Sequence, residues 1–171
     1  DPELVDEDVL NSTGSEGTPF MNSKFNTLYF TRCPNHKKRE SGCQIMKSSR
    51  SGSSWGEPVT VEIKTIDSLD VVGHPTLSSD ELTLIFASER RNGIGGKDLW
   101  ISERESTSEE FGRPRNLGVN INTESDELYP YLRNDSTLYF ASDGHGGMGG
   151  LDIFVSTLDS LGEWTTPINL K

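Results

Sequence analysis

Hydrophobic residues in this chain occur in short runs that polar, glycine-rich turns separate. Runs such as LTLIFAS (82–88), DLWIS (98–102) and DIFVS (152–156) are rich in β-branched and aromatic side chains. No stretch carries apolar residues at helical spacing, and the central runs are apolar at consecutive positions, which is typical of strands buried on both faces. The pattern predicts an all-β fold whose inner strands are covered on both sides.

The runs recur about every 55 residues, a period that indicates a repeat architecture. Three segments that begin at Pro19, Pro75 and Pro130 carry the same order of four strand-like runs. Later landmarks stay in register across the three units: Leu28, Leu84 and Leu138; Gly42, Gly96 and Gly150; Trp55, Phe111 and Trp164; Pro58, Pro114 and Pro167. Radially stacked four-stranded sheets bury both faces of their inner strands. The predicted fold is therefore an all-β β-propeller with three four-stranded blades, part of a partial or larger propeller.

The repeat also predicts the division of the chain. Blade one is expected at 19–74, blade two at 75–129 and blade three at 130–171, while 1–18 continues the phase upstream as the tail, or outer strand, of a preceding blade with its connector. Propellers close with about four to eight blades, so three blades leave apolar faces uncovered. We therefore expect either a longer propeller or two copies that pair to complete one.

The net charge of the chain argues against some classes of binding partner. The 171 residues include 27 acidic and 16 basic ones, for a net charge of -11. Such an excess of acid argues against nucleic acid or an anionic membrane as the main partner. No apolar stretch reaches the length of a membrane span.

Several strings carry a family resemblance. LYFASDG (138–144), GGLDIFVS (149–156) and the Trp164 to PINL (167–170) segment resemble the TolB-type (WD-like) propeller repeat, particularly the variety in OmpA-family envelope proteins of Bacteroidota. The likeness covers roughly residues 10–171; blade one departs from it, with Gln44 where the other blades have Asp98 and Asp152.

The resemblance implies a non-enzymatic protein-interaction scaffold in the periplasm, associated with the outer membrane and without a cofactor. Its implied partners are envelope or secretion-system proteins, with type IX secretion as one setting, and self-association would complete the propeller. The alternative is a propeller that binds a glycan or peptidoglycan fragment in its channel. Exposed Trp or Tyr at the channel mouth would favour this alternative, whereas Trp55, Trp100 and Trp164 occupy repeat-equivalent or strand positions that suggest packing.

Two cysteines flank one predicted hairpin loop. Cys33 ends the second run of blade one and Cys43 precedes the third, so the two residues can meet disulfide geometry at the mouth of an antiparallel hairpin. An even cysteine count also suits an oxidising compartment. Zinc held by Cys33, His36 and Cys43 is the rival interpretation, but a structural zinc site needs a fourth ligand. We predict a disulfide and no metal site, with calcium near Asp143 or Asp152 as a lesser alternative.

Asp98 and Asp152 open the third strand of their blades, directly after glycine-rich loops. A short carboxylate there can accept N–H bonds from the loop backbone, and Gly96 and Gly150 are expected to allow the tight turn. Loops at blade ends are the expected binding elements. The candidate interaction residues are His36, Lys37, Lys38, Arg39, Arg90, Arg91, Asp143 and His145.

Two motifs match enzyme signatures only formally. GSSWG (52–56) has the spacing of a hydrolase nucleophile elbow, and GHGGMG (144–149) has that of a dinucleotide fingerprint. Both chemistries need a helix directly after the motif, and a strand-like run follows each motif here. We predict hairpin turns at both places and assign no catalytic residue.

Overall fold

The computed structural model describes residues 9–35, 42–66 and 70–171, and within them the chain forms strands and turns without a helix. The strands of blade one are β1 (Ser15–Met21), β2 (Thr27–Cys33), β3 (Gln44–Ser51), β4 (Ser54–Trp55) and β5 (Val59–Thr60). Those of blade two are β6 (Val72–Leu77), β7 (Thr83–Ser88), β8 (Asp98–Glu103) and β9 (Arg115–Asn116). Those of blade three are β10 (Glu127–Arg133), β11 (Thr137–Ser142), β12 (Asp152–Thr157) and β13 (Ile168–Asn169).

Each blade is one antiparallel sheet, and the strands of blades two and three follow chain order. Blade one has one strand more than the predicted four, because β3 continues through a tight hairpin into the two-residue β4. The equivalent of β9 and β13 is β5, since Val59 pairs with Lys47 as Arg115 pairs with Ile101. The chain is thus an all-β propeller segment of three blades, as the repeat predicts.

The first strand of each blade contains a β-bulge. Pairing with the second strand shifts between Gly17 and Phe20, and again at the equivalent places in β6 and β10. The bulged residues Thr18, His74 and Tyr129 have φ of 49°, 54° and 53°, and a proline follows each. The predicted divisions at 19, 75 and 130 therefore fall inside the first strands rather than before them.

The first strands of the three blades lie next to one another: β1 contacts β6, and β6 contacts β10. Side chains alternate along every strand, so each blade has two faces. We call the side that meets the following blade the forward face and the opposite side the rear face. The forward face of blade two consists of Thr76, Ile85, Ala87, Leu99, Ile101 and Arg115. Its rear face consists of Leu77, Leu84, Phe86 and Trp100.

Stacking of these faces forms the core. Between blades one and two, Tyr29 and Ile45 pack with Leu84, Phe86 and Trp100. Burial of one such side chain contributes roughly 1.5–3 kcal/mol. The consecutive apolar positions of the central strands are explained by this double coverage.

The second layer of core lies between blades two and three. Ile85 and Leu99 pack there with Leu138, Phe140 and Phe154, and Ile121 from the connector completes the cluster.

Candidate functional site on the forward face of blade three

Asp98 anchors the glycine-rich loop of blade two. Its carboxylate is fully buried; it accepts the backbone N–H of Ile94 and of Gly95, the latter at 3.2 Å, and the Nδ2–H of Asn116 at 2.8 Å. The predicted use of a strand-opening aspartate as a loop acceptor is what the structure shows. The same loop approaches the connector of blade three, where Gly96 N–H donates to the Ser125 carbonyl at 2.9 Å.

Asp152 plays the same part in blade three with fewer partners. Its Oδ2 accepts the backbone N–H of Met148 at 2.7 Å, and the residue is only partly buried. Gly150 has a φ of 69°, a left-handed backbone conformation that favours glycine over residues with a Cβ. Gly96 needs glycine for a different reason: a Cβ there would overlap the carboxylate of Asp126. One glycine is required by the turn and the other by the approach of the next blade.

The predicted disulfide between Cys33 and Cys43 is present and joins the end of β2 to the start of β3. Because both sulfurs are bonded to each other, they are not available as zinc ligands. The basic loop residues His36, Lys37, Lys38 and Arg39 lie outside the described residues.

The other predicted loop residues are not brought together, and three of them bond within the fold. The Arg90 guanidinium lies 5.0 Å from the centre of the Trp100 ring, and Asp143 accepts the Asp126 N–H at 3.0 Å. His145 Nε2–H donates to the Ile121 carbonyl at 2.8 Å, so this candidate interaction residue is partly buried and bonded within the fold. Arg91 is exposed.

Both formal enzyme motifs lie in turns. Ser51 pairs with Ser54 across the β3–β4 hairpin, and the GHGGMG segment leads into the strand β12 rather than into a helix. Among the described residues, no group of three or more His, Cys, Asp or Glu is placed to hold a metal ion. Nor does any described residue belong to a helix with the length and hydropathy of a membrane span.

A buried polar pair links the first two strands at one repeat position, and it differs between blades. In blade three, Ser142 Oγ donates to the fully buried carboxylate of Glu127 at 2.7 Å. Blade one has an Arg32–Glu16 ion pair at 2.8 Å instead.

In blade two the corresponding residues are Val72 and Ser88. The valine offers no acceptor, and the buried Ser88 hydroxyl has no hydrogen-bond partner. An unpaired buried hydroxyl destabilises the fold, so blade two carries a polar defect at this position.

A His–Tyr stack joins the first strands of blades two and three. The rings of His74 and Tyr129 lie 4.4 Å apart and nearly parallel, and His74 Nδ1 accepts the Tyr129 N–H at 3.2 Å. Burial, and secondarily the positive charge of Lys97, lower the pKa of His74 below its ordinary value of 6.5. This pair was not predicted from the sequence, because the two residues are 55 positions apart. Each residue directly precedes the proline in the first strand of its blade, Pro75 or Pro130, and this shared repeat position was the signal that could have paired them.

A groove of about 500 Å³ crosses the first strands of all three blades. Phe20 of blade one, Leu77 of blade two and Tyr131 of blade three line it, together with the carboxylate of Asp135. That carboxylate accepts both the backbone N–H and the hydroxyl of Ser79, which fixes the groove's polar end.

Blade three exposes the sheet face that blade two buries. Its forward face consists of Tyr131, Tyr139, Ala141, Ile153, Val155 and Ile168. Ile153 is 58% exposed, whereas its counterpart Leu99 is 0% exposed under blade three. Tyr131 and Ile168 are 54% and 68% exposed. Contiguous apolar surface of this kind marks an interaction site.

Comparisons with known proteins leave the family open. No protein-family model matches the chain, and no curated protein matches it. A solved structure of Trypanosoma rangeli sialidase in complex with the inhibitor DANA is similar over 89% of this chain, with 13% sequence identity and a TM-score of 0.49. The chain covers 30% of that structure, and a likeness of this size does not bear on what the chain binds or does.

Proposed function

We propose that this chain is a non-catalytic protein-interaction scaffold that binds its partner through the forward face of blade three. The observation that carries the proposal is the exposure of Tyr131, Ile153 and Ile168 on one continuous sheet face. Soluble monomers rarely leave an apolar sheet face uncovered, and covering one large aliphatic side chain contributes roughly 1.5–3 kcal/mol.

The same face also carries few charges. In blade two the outermost forward position is Arg115, which is ion-paired with Glu103, whereas blade three has Ile168 there. The outer rim of blade three is therefore apolar where the rim of blade two is charged. Interface centres are depleted of charged residues in this way.

The Bacteroidota envelope repeats that this chain resembles support a location in the periplasm beside the outer membrane, with envelope or secretion-system proteins as partners. The Cys33–Cys43 disulfide is consistent with an oxidising compartment. Type IX secretion is the setting that we propose for the assembly.

Site-specific photo-cross-linking tests the proposal. A photo-cross-linking amino acid at position 153 is expected to form covalent adducts with a protein, identified by mass spectrometry, when the chain is exported in a Bacteroidota host. The matched control is position 119, because Val119 is 78% exposed but lies outside the forward face. Equal labelling at both positions, or none at 153, would refute a specific protein interface.

Binding of a glycan or peptidoglycan fragment is a second candidate, favoured by the groove across the first strands. Tyr131 and Phe20 supply aromatic surface there, and Asp135 and Asn134 supply polar groups for sugar hydroxyls. Calorimetric titration with peptidoglycan fragments should give saturable heat that Phe20→Ala reduces and Ile153→Asp leaves unchanged. Absence of heat with the unaltered chain would rule this candidate out.

A further inference from the structure

We infer that the cavity between blades two and three binds an arginine side chain of a partner protein. The cavity has a volume of about 500 Å³. Ile85 and Ile101 of the forward face of blade two form one wall, and Leu158 and Trp164 of blade three form the other. The site is separate from the forward face of blade three, so the inference goes beyond the proposed function.

The equivalent space between blades one and two is filled by an arginine of this chain. Arg104 is 9% exposed, and its Cζ lies 4.2 Å from the centre of the Phe111 ring. Its guanidinium donates to the carbonyls of Glu81 at 3.0 Å and of Glu109 at 3.3 Å. Charged side chains are buried only where partners surround them, so this fold already holds one guanidinium between two blades.

Blade three has the aromatic ring of this arrangement but not the arginine. Leu158 directly follows β12, as Arg104 directly follows β8. Trp164 occupies the repeat position of Phe111, and it pairs with Leu158 in an antiparallel bridge. The ring of Trp164 therefore lines the cavity without a cation from this chain stacked on it.

The opposite wall of the cavity also carries a smaller side chain than its counterpart. Blade one contributes the buried Tyr29 to the filled space, where its hydroxyl donates to the Glu81 carboxylate at 2.8 Å. Blade two has Ile85 at the position of Tyr29. Isoleucine and leucine thus stand where the filled interface has tyrosine and arginine, and their smaller volume leaves the cavity open.

The charge around the cavity suits a cation. Four carboxylates line it, against the single guanidinium of Arg115; they belong to Asp80, Glu103, Asp135 and Glu163. Arg115 is ion-paired with Glu103 at 3.2 Å, so the other three carboxylates have no basic partner among the described residues. A guanidinium fits better than an ammonium group, because its planar face stacks on an aromatic ring while its edge bonds carboxylates. Arginine is also enriched at protein interfaces.

Titration with short peptides, followed by NMR, tests the inference. The probe is a tripeptide with arginine between two glycines and with both termini blocked. The readout is the indole N–H signal of Trp164, assigned with the Trp164→Phe variant. This signal should shift saturably with the arginine peptide, less with its lysine counterpart, and not with its citrulline counterpart, which is uncharged and similar in shape. An equal shift with citrulline, or no shift with arginine, would overturn the inference.

A pair of glutamate variants separates a site from general attraction to an acidic protein. Glu163→Gln should raise the Kd of the arginine peptide about two- to fivefold, the range for one partly exposed ion pair. The matched control is Glu57→Gln, because Glu57 is exposed in blade one between β4 and β5, away from the cavity. The control should leave the Kd unchanged, and equal effects of the two variants would refute the inference.

The Leu158→Arg variant tests the location directly. It should place the chain's own guanidinium in the cavity, as Arg104 is placed between blades one and two, and should no longer bind the arginine peptide. Far-UV circular dichroism checks that the variant retains its strands, and a folded variant that still binds the peptide contradicts the inference. If Leu158→Arg does not fold, the two glutamate variants decide the result.

Free arginine is the last comparison. Its own carboxylate would face the acidic cavity, so it should bind more weakly than the blocked peptide. Tighter binding of free arginine would identify a small-molecule site and overturn the assignment to a partner protein.

Discussion

Removal of the Asp98 carboxylate should destabilise the protein far more than the same change at Asp152. Asp98 accepts three hydrogen bonds in a fully buried site, whereas Asp152 accepts one from Met148 in a partly exposed site. A hydrogen bond to a charged group contributes about 1.5–3 kcal/mol, and a buried donor left without an acceptor costs about 1–3 kcal/mol. These contributions overlap, so we expect Asp98→Ala to cost about 3–5 kcal/mol and Asp152→Ala about 1–2 kcal/mol.

Urea unfolding followed by circular dichroism measures both losses, with an unchanged denaturant slope as the check that the unfolding transition is comparable. Amide hydrogen exchange at Ile94 and Gly95 should accelerate in Asp98→Ala, because these N–H groups lose their acceptor.

The isosteric Asp98→Asn variant is the control for side-chain volume. Its amide nitrogen would face the Asn116 amide or the loop N–H groups, so it should lose nearly as much stability as Asp98→Ala. Losses at Asp98 and Asp152 that agree within about 0.5 kcal/mol would show that the loop hydrogen bonds do not determine stability here.

Three further predictions concern a buried serine in each of two blades, the stacked histidine and the disulfide. Ser142→Ala should cost about 1–3 kcal/mol because it removes the donor to a buried carboxylate, while Ser88→Ala should be neutral or stabilising because its hydroxyl is unpaired; urea unfolding of both variants compares them. The lowered pKa of His74 means that the folded state binds a proton less readily than the unfolded state, so the free energy of unfolding should fall as pH drops below 6.5. His74→Asn should remove that component of a pH series of unfolding curves, since Asn tolerates positive φ. Joint replacement of Cys33 and Cys43 by Ser should cost about 2–3 kcal/mol, and thermal unfolding with and without reductant checks it.

The propeller was predictable because its signal is periodic. Leu84, Leu138 and their neighbours recur in register, and consecutive apolar residues in a strand require cover on both faces. The roles of Asp98 and of the Cys33–Cys43 pair were also predictable, since both depend on contacts within one hairpin.

What the sequence did not predict depends on contacts between blades. His145 was predicted as an interaction residue of a binding loop, but its ring bonds the connector carbonyl of Ile121 instead. The His74–Tyr129 stack likewise needs two bulges in adjacent sheets to face each other. The repeat period says that such positions are equivalent; it does not say which side chains meet across the gap.

The bulge and proline in every first strand restrict how this protein can associate. A sheet edge with free N–H and C=O groups invites β-augmentation and aggregation, and proteins obstruct it with bulges, prolines and very short strands. Here Pro19, Pro75 and Pro130 remove an amide donor beside each bulge on one edge. On the other edge, β5, β9 and β13 are two residues long. Backbone recruitment of a foreign strand is therefore disfavoured at both margins of each sheet, which leaves side-chain packing as the route to assembly.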